Sequence, residues 1–219
     1  MEKGIVIQLQ EDAIDGNVDI EELLRKAYLV AHKLDIKDFK EWIRNEQNGY
    51  QNKEIPDYRT VGGKIKAYNP VYGWIPVIFG SNFPKFVETL KINSPIASIL
   101  DSCKESRSAN ASVDFVLPSE YIDLLNTHTT GLETDYIFRT STSEMKKIIS
   151  AVRNNILNYA LLLEDNGIKG DGLSFSDEER KSAQNIPVIN NYTNNFYSDT
   201  RTTRIIQGNI VENKNTEEM

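Results

Sequence analysis

The chain has little of the residue chemistry on which most catalytic and metal sites depend. It holds one cysteine, Cys103, and two histidines, His32 and His128, in 219 residues. A single cysteine excludes an intrachain disulfide, and we therefore expect a reducing compartment, the cytoplasm. Neither histidine has a cysteine or a second histidine at the spacing of zinc ligands, so the sequence predicts no metal site.

Long apolar runs and an excess of positive charge are also missing. No apolar run approaches the roughly 20 residues of a membrane-spanning helix, and no signal-peptide core follows the first residues, so we predict no membrane association. The formal net charge of −7 argues against a surface that holds duplex nucleic acid through phosphate contacts alone. The net charge does not exclude a local basic patch. Apolar residues at 39% and charged residues at 26% are typical of a globular protein with an ordinary core.

Helical periodicity is the strongest positive signal. Between Ser141 and Glu164, apolar residues recur at gaps of three and four, which predicts one long helix with a single buried face. Ser141 and Glu144 have the spacing of a capping box at its start. Its predicted buried residues are Met145, Ile148, Ile149, Val152, Ile156, Tyr159, Ala160 and Leu163.

The first 50 residues predict three further helices. The first runs over about 5–14, the second is capped by Asp19 with Glu22 at the box position, and Asp35 is the candidate cap of the third. The third carries an inward face of Phe39, Trp42 and Ile43, and Asn48-Gly49 ends it.

Between Pro56 and the long helix the pattern is mixed. Residues 58–68 predict a strand in which Gly62-Gly63 indicates a bulge, and residues 74–79 predict a second strand that Pro76 assigns to a sheet edge. Short strands are predicted at 113–117 and 136–138. Helices are predicted near 84–90, 95–104 and 118–126, and Ser176 with Glu179 starts another that ends near Gln184. The fold class predicted is α+β, mainly α-helical, with a small β-hairpin or sheet.

The composition changes near residue 186. We divide the chain into a domain at 1–185 and a tail at 186–219 that is rich in asparagine and threonine. Its sparse apolar residues cannot build a core alone. Two interpretations stay open: the tail is disordered, or it forms strands that pair with other copies and make a homo-oligomer. The residues expected to mediate assembly are Tyr192, Phe196, Tyr197, Ile205, Ile206 and Ile210.

No catalytic constellation emerges, so we predict no catalytic residues and no cofactor. Cys103 lacks an identifiable partner, which favours a small buried apolar residue over a nucleophile. Arg153 on the long helix invites a nuclease hypothesis, but no histidine follows it within reach. The best binding-surface candidates interleave aromatic and basic side chains, as surfaces that stack bases or grip peptides do. They are Tyr58, Arg59, Lys64, Tyr72 and Trp74.

Several segments together resemble the AbiTii family of bacterial abortive-infection proteins. The resemblance spans about residues 4–184 and is specific only as a set. The segments are Leu23-Leu24-Arg25-Lys26-Ala27 with Ala31 and Leu34, residues 42–50, Pro56-Asp57-Tyr58-Arg59, Asn69-Pro70, Gly73-Trp74-Ile75-Pro76, residues 94–99, residues 151–164 and residues 170–179. The resemblance implies phage defence, and it brings no catalytic motif that can be carried over.

Three hypotheses follow from these patterns. The first is a non-enzymatic, self-associating defence effector or sensor. The second is a toxin nuclease that acts on RNA. The third is an adaptor that binds a phage or host component through residues 58–79.

Overall fold

The computed structural model confirms the three N-terminal helices. They are α1 (Ile5–Ile14), α2 (Ile20–Lys33) and α3 (Lys37–Asn48). The buried residues of each lie on one face, as the periodicity predicts. The structure describes residues 3–79, 88–105, 111–128 and 134–186.

The ends of these helices follow the predicted caps in part. Asp19 caps α2 by accepting from the amide of Glu21, and Gly49 ends α3 with a φ of 86°. The prediction that Asp35 caps α3 is wrong. Asp35 has a φ of 53° in the turn after α2, and its carboxylate instead accepts from Lys40. Ile36 therefore precedes α3 without a side-chain cap.

Five antiparallel strands form one sheet. Four of them lie in the order β2-β1-β5-β4, and β3 pairs with the first residues of β1. The strands are β1 (Thr60–Asn69), β2 (Gly73–Pro76), β3 (Thr89–Lys91), β4 (Ser112–Val116) and β5 (Tyr136–Ser141). The strand that contains Pro76 is at the edge, as predicted, because proline lacks the amide that an inner strand must donate.

One local prediction about this sheet is wrong. Residues 89–90 belong to β3 and not to a helix, because their backbone groups pair with β1; the rest of the predicted helix at 84–90 lies largely outside the described residues. Gly62 pairs with β3 and Gly63 with β5, and the register from Gly63 to Ala67 against β5 skips no residue; a bulge at the glycine pair itself stays a prediction. A Cβ at Gly63 would lie 2.5 Å from Phe138 Cζ, so glycine permits close strand approach here.

The long helix is the centre of the core. It is α6 (Thr142–Asp165), and it packs against α1, α2 and α4 (Ile96–Glu105), while the sheet precedes and adjoins its first turns. All of its predicted core residues are buried except Ile149, which is half-buried. α5 (Ser119–His128) and α7 (Asp177–Asn185) complete the described elements.

The caps of the last two helices differ from each other. At α6, Ser141 accepts from the amide of Glu144, but the Glu144 carboxylate accepts from the amide of Gly62 in β1. At α7, the full capping box of Ser176 and Glu179 is present. The fold is α+β and mainly helical, which confirms the predicted class. None of the helices in the described ranges combines the length and the apolar character that crossing a bilayer requires.

Candidate functional site

The five residues predicted to form one binding surface lie in two different places. Tyr58 and Arg59 turn into the interior, and Arg59 is fully buried. Lys64, Tyr72 and Trp74 belong to the β1–β2 hairpin and remain at the surface. Arg59 is thus excluded from any docking surface, because a side chain with no exposed area cannot touch a ligand in solution.

A buried ion pair holds Arg59 in place. Its Nη2 atom lies 2.6 Å from Oε2 of Glu46, and both side chains have 0% exposure. Its Nη1 atom donates to the carbonyls of Ile92 at 3.0 Å and Ser94 at 2.8 Å. The guanidinium therefore ties α3 to the chain that follows β3.

Two tyrosines also donate hydrogen bonds to the carboxylate of Glu46. The hydroxyls of Tyr50 and Tyr58 each donate to Oε1 of Glu46 at 2.6 Å, and Trp42 Nε1 donates to the hydroxyl of Tyr58 at 2.9 Å. The guanidinium of Arg59 also lies 4.8 Å from the centre of the Tyr50 ring, a cation–π distance. The carboxylate therefore has both a cation and two hydroxyl donors, as a buried charge requires.

The pKa values of the cluster are typical of a structural site and not of a catalytic one. Burial and then the charge of Glu46 raise the pKa of Tyr50 far above its usual range, and the same causes raise that of Tyr58. Burial works to lower the pKa of Arg59, but the charge and hydrogen bonds of Glu46 raise it. Both hydroxyls stay protonated and Arg59 stays charged, so the cluster does not exchange protons near neutral pH.

Lys64 and Trp74, two of the remaining predicted residues, lie on the solvent-facing side of the sheet. Side chains of directly paired residues point to the same face, and Ile65 and Phe138 assign one face to the core. The opposite face carries three rows across the strands, which we call the outer sheet face. These rows are Tyr68 beside Trp74; Pro76, Lys66, Ile137 and Val116; and Lys64, Arg139 and Asp114.

Lysine and arginine side chains outnumber carboxylates on the outer sheet face, which also carries the exposed Asp135 opposite Tyr68. Asp114 accepts from Arg139 Nε at 2.5 Å and from Nη2 at 2.6 Å, so these two charges neutralise each other. The hydrogen bond from Arg139 to Asp114 raises the pKa of the guanidinium. Lys64 and Lys66 have no ion-pair partner in the part of the chain that the structure describes.

Apolar side chains continue from this face to the hairpin tip. Tyr68 is 45% exposed and packs edge-on against Trp74, with ring centres 5.3 Å apart. Val116 on the outer strand is 84% exposed, and Tyr72 in the hairpin turn is 80% exposed. Val116 lies on the edge strand opposite the hairpin, so these exposed apolar groups are spread over the sheet from one edge to the other. Exposed apolar groups on one face are typical of interaction surfaces.

Arg153, on which the nuclease hypothesis depends, makes structural contacts. Arg153 donates to three backbone carbonyls, those of Asp12, Asp15 and Val18, at 3.0, 2.9 and 2.5 Å. These carbonyls lie at the end of α1 and in the loop after it, where helix carbonyls lack partners within the helix. Arg153 therefore holds α1 against α6, and both of its Nη atoms already donate to backbone carbonyls.

The remaining reactive side chains show no activation. Burial raises the pKa of Cys103, and nearby Lys146 lowers it by less, so the thiol is less ionised than an ordinary cysteine. His32 is exposed and stacks on Tyr28. Within the described residues, no group of three or more histidine, cysteine, aspartate or glutamate side chains could hold a metal ion.

One buried amide was not predicted as a special position. Asn155 faces the core in the middle of α6 and is 5% exposed, and its Nδ2 atom has no hydrogen-bond partner among the described residues. An unsatisfied buried donor costs about 1–3 kcal/mol of stability. Nothing else in the geometry around Asn155 assigns it a ligand.

Comparison with known proteins places the chain in a family. The family model AbiTii matches residues 4–188, and this range includes α1 to α7, the whole sheet and the Glu46–Arg59 pair. No curated protein and no solved structure matches the chain. The fold is an α+β domain, and the family match shows that the chain belongs to the AbiTii family. This membership supports a role in bacterial abortive infection.

Proposed function

We propose that this chain is a non-enzymatic abortive-infection protein of the bacterial cytoplasm, which recognises a macromolecule through the outer sheet face. In this proposal, the domain at 1–185 supplies recognition and the tail at 186–219 supplies self-association. The family match over residues 4–188 supports the defence role. The single cysteine supports the cytoplasmic location.

The observation that carries the recognition step is the composition of the outer sheet face. It combines two lysines that have no ion-pair partner among the described residues with Tyr68 at 45% exposure, the half-buried Trp74 and the 84% exposed Val116, on a sheet whose other face is buried. An antiparallel sheet with one solvated face normally carries polar residues there. Exposed aromatic and aliphatic groups at such positions do nothing for the core, which favours a role in binding.

Binding is favoured over nuclease activity by the state of the candidate catalytic groups. Arg153 uses its guanidinium on three carbonyls, and the Glu46–Arg59 pair has no exposed surface. Incubating the purified protein with total RNA or a plasmid, with and without a divalent metal ion, tests this preference. We expect intact nucleic acid in every sample, and metal-dependent or metal-independent cleavage would overturn the non-enzymatic proposal.

Self-association through the tail is a separate part of the proposal. The tail is rich in β-branched and aromatic residues, with four acidic and three basic residues between 187 and 219. Such a segment lacks the charge that keeps a solubility tail extended. Light scattering of the full chain and of a chain that ends at Gln184 measures the effect. We expect an oligomer for the full chain and a monomer for the shorter one. Equal subunit numbers would contradict the proposal that the tail mediates self-association.

The recognition step is tested in infected cells. We expect Trp74→Ala and Tyr72→Ala to abolish protection from phage, measured as plaque formation on expressing and non-expressing bacteria. Leu173→Ala is the control, because Leu173 is 56% exposed in the loop before α7, outside the sheet. Far-UV circular dichroism and a urea midpoint verify folding. Undiminished protection by both hairpin variants would contradict recognition through this face.

A further inference from the structure

We infer that the outer sheet face binds single-stranded nucleic acid, with bases on Tyr68 and Trp74 and phosphates on Lys64 and Lys66. The inference rests on the proposed use of this face for recognition and names the class of its ligand. Neither the family match nor the fold class assigns a ligand to this surface.

Charge complementarity is the first argument for an anionic ligand. Asp114 and Asp135 are acidic residues of the outer sheet face: Arg139 neutralises Asp114 through two hydrogen bonds, and the exposed Asp135 lies opposite Tyr68, whose amide donates to its carbonyl. Lys64 and Lys66 then remain as uncompensated cations among the described residues. The three cations Lys64, Lys66 and Arg139 outnumber these two carboxylates, so the face has an excess of one positive charge on a chain whose net charge is −7. A cation pair on an otherwise acidic protein attracts anions to one place.

The position of the aromatic pair is the second argument. Tyr68 lies two residues after Lys66 on the same strand and the same face, and Trp74 is its direct partner on β2. The two rings meet at 67°, so at most one of them can present its flat side in a given direction. An unpaired base can stack on the solvent side of either ring, as in other sheets that bind single strands.

The spacing of the cations favours an extended polymer over a small anion. Lys64 and Lys66 alternate with the buried Ile65, so their Cα atoms lie about 7 Å apart along β1. The aromatic row follows at the same interval. Cations and aromatic rings that repeat along one strand match a chain in which phosphates and bases also repeat.

A single strand fits this face better than a duplex. In a duplex the bases are stacked within the helix, and the aromatic rings would have no exposed base face to contact. Duplex binding also depends on many phosphate contacts, whereas this face offers two lysines that form no ion pair within the described ranges, on a chain with a net charge of −7. A peptide would use the lysines without needing a flat aromatic surface, so we make it an outcome of the test.

Fluorescence anisotropy with labelled oligothymidylate and oligouridylate of about 12 nucleotides tests the inference on the full chain. We expect saturable binding of at least one of them. The logarithm of affinity should fall with the logarithm of salt concentration with a slope of about −1.4, the value for two phosphate contacts on a single strand. A labelled duplex of equal length should bind more weakly.

Charge-reversal variants locate the site. Lys64→Glu/Lys66→Glu should remove the salt dependence and most of the binding. Lys181→Glu should leave both unchanged, because Lys181 is exposed on α7, away from the sheet. Trp74→Ala should weaken binding about 5- to 150-fold, the range for the loss of one stacked base. Since Trp74→Ala can disturb the hairpin, Tyr68→Phe serves as a second variant that keeps the ring and should bind normally.

The outcomes separate this inference from the proposed function. Absence of oligonucleotide binding, or equal binding by Lys64→Glu/Lys66→Glu, would overturn the inference. If Trp74→Ala still abolishes phage protection in that case, the face recognises a protein and the proposed function stands. If protection also survives the substitution, both are wrong.

Discussion

Removal of Arg59 should be among the most damaging single substitutions in the domain. In Arg59→Met, the carboxylate of Glu46 loses two charge-assisted bonds, at 2.6 and 3.2 Å, in a place with no solvent exposure. The carbonyls of Ile92 and Ser94 lose a donor as well. Breaking a buried pair by removing one partner costs about 3–5 kcal/mol, since the other charge stays buried. We expect a loss of this size in the free energy of unfolding.

Urea denaturation followed by tryptophan fluorescence measures this loss. The control is Arg139→Met, since Arg139 also makes two bonds to one carboxylate but its side chain is 28% exposed. Exposed pairs contribute about 0–1 kcal/mol. The double variant Glu46→Gln/Arg59→Met should lose less than the sum of its single variants, because no unpaired charge remains. A cost for Arg59→Met no larger than that of the control would refute the reasoning.

Three further changes in stability follow from other positions, each measured by the same unfolding experiment. Gly63→Ala should cost about 1–3 kcal/mol, because the added Cβ would meet Phe138 Cζ at 2.5 Å; an unchanged midpoint would contradict the close approach. Burial works to raise the pKa of Glu179, but backbone amides that donate to its carboxylate hold that pKa below its usual range. The Glu179 carboxylate therefore stabilises the fold at pH values above its pKa in the unfolded chain, and this stabilisation is lost as the pH falls through its pKa in the folded chain. Glu179→Gln should lower the free energy of unfolding by about 1 kcal/mol at neutral pH and by progressively less below about pH 4. Asn155→Leu should raise the free energy of unfolding by about 1–3 kcal/mol, since it removes the unpartnered donor, and a loss of stability would mean that the amide has a partner.

Elements with strong local signals could be predicted from the sequence. The buried stripe of α6 and the box of Ser176 and Glu179 depend on spacings within a few residues, and both are present in the structure. The predicted box at Ser141 is only half formed, because Gly62 is a competing donor for Glu144. That donor belongs to β1 and is distant in sequence, so no local pattern contains it.

The buried ion pair was missed because arginine is usually exposed. One signal was nevertheless available in α3. Glu46 follows Phe39, Trp42 and Ile43 at helical spacing, which places a carboxylate on the buried face. A buried carboxylate requires a cation, but the choice of Arg59 depends on how the chain returns after residue 49. Sequence spacing does not determine that return.

The outer sheet face was predicted only in its β1–β2 part. Lys64 and Trp74 belong to one hairpin, and alternation along a strand suffices to find them. Arg139 and Val116 join the same face through pairs such as Lys64 with Arg139, which are 75 residues apart in sequence. Such pairing depends on the packing of the whole sheet against α6. The assembly residues predicted in the tail lie outside the described residues, and their role stays a prediction.

Protection from phage by the Lys64→Glu/Lys66→Glu variant is the most direct test of the proposal that the outer sheet face is the working surface. Plaques are counted on bacteria that produce the wild-type chain, this variant or Lys181→Glu at equal protein levels. The proposal predicts that the sheet variant loses protection while Lys181→Glu retains it, with both folded like the wild type. Equal protection by all three proteins would contradict it.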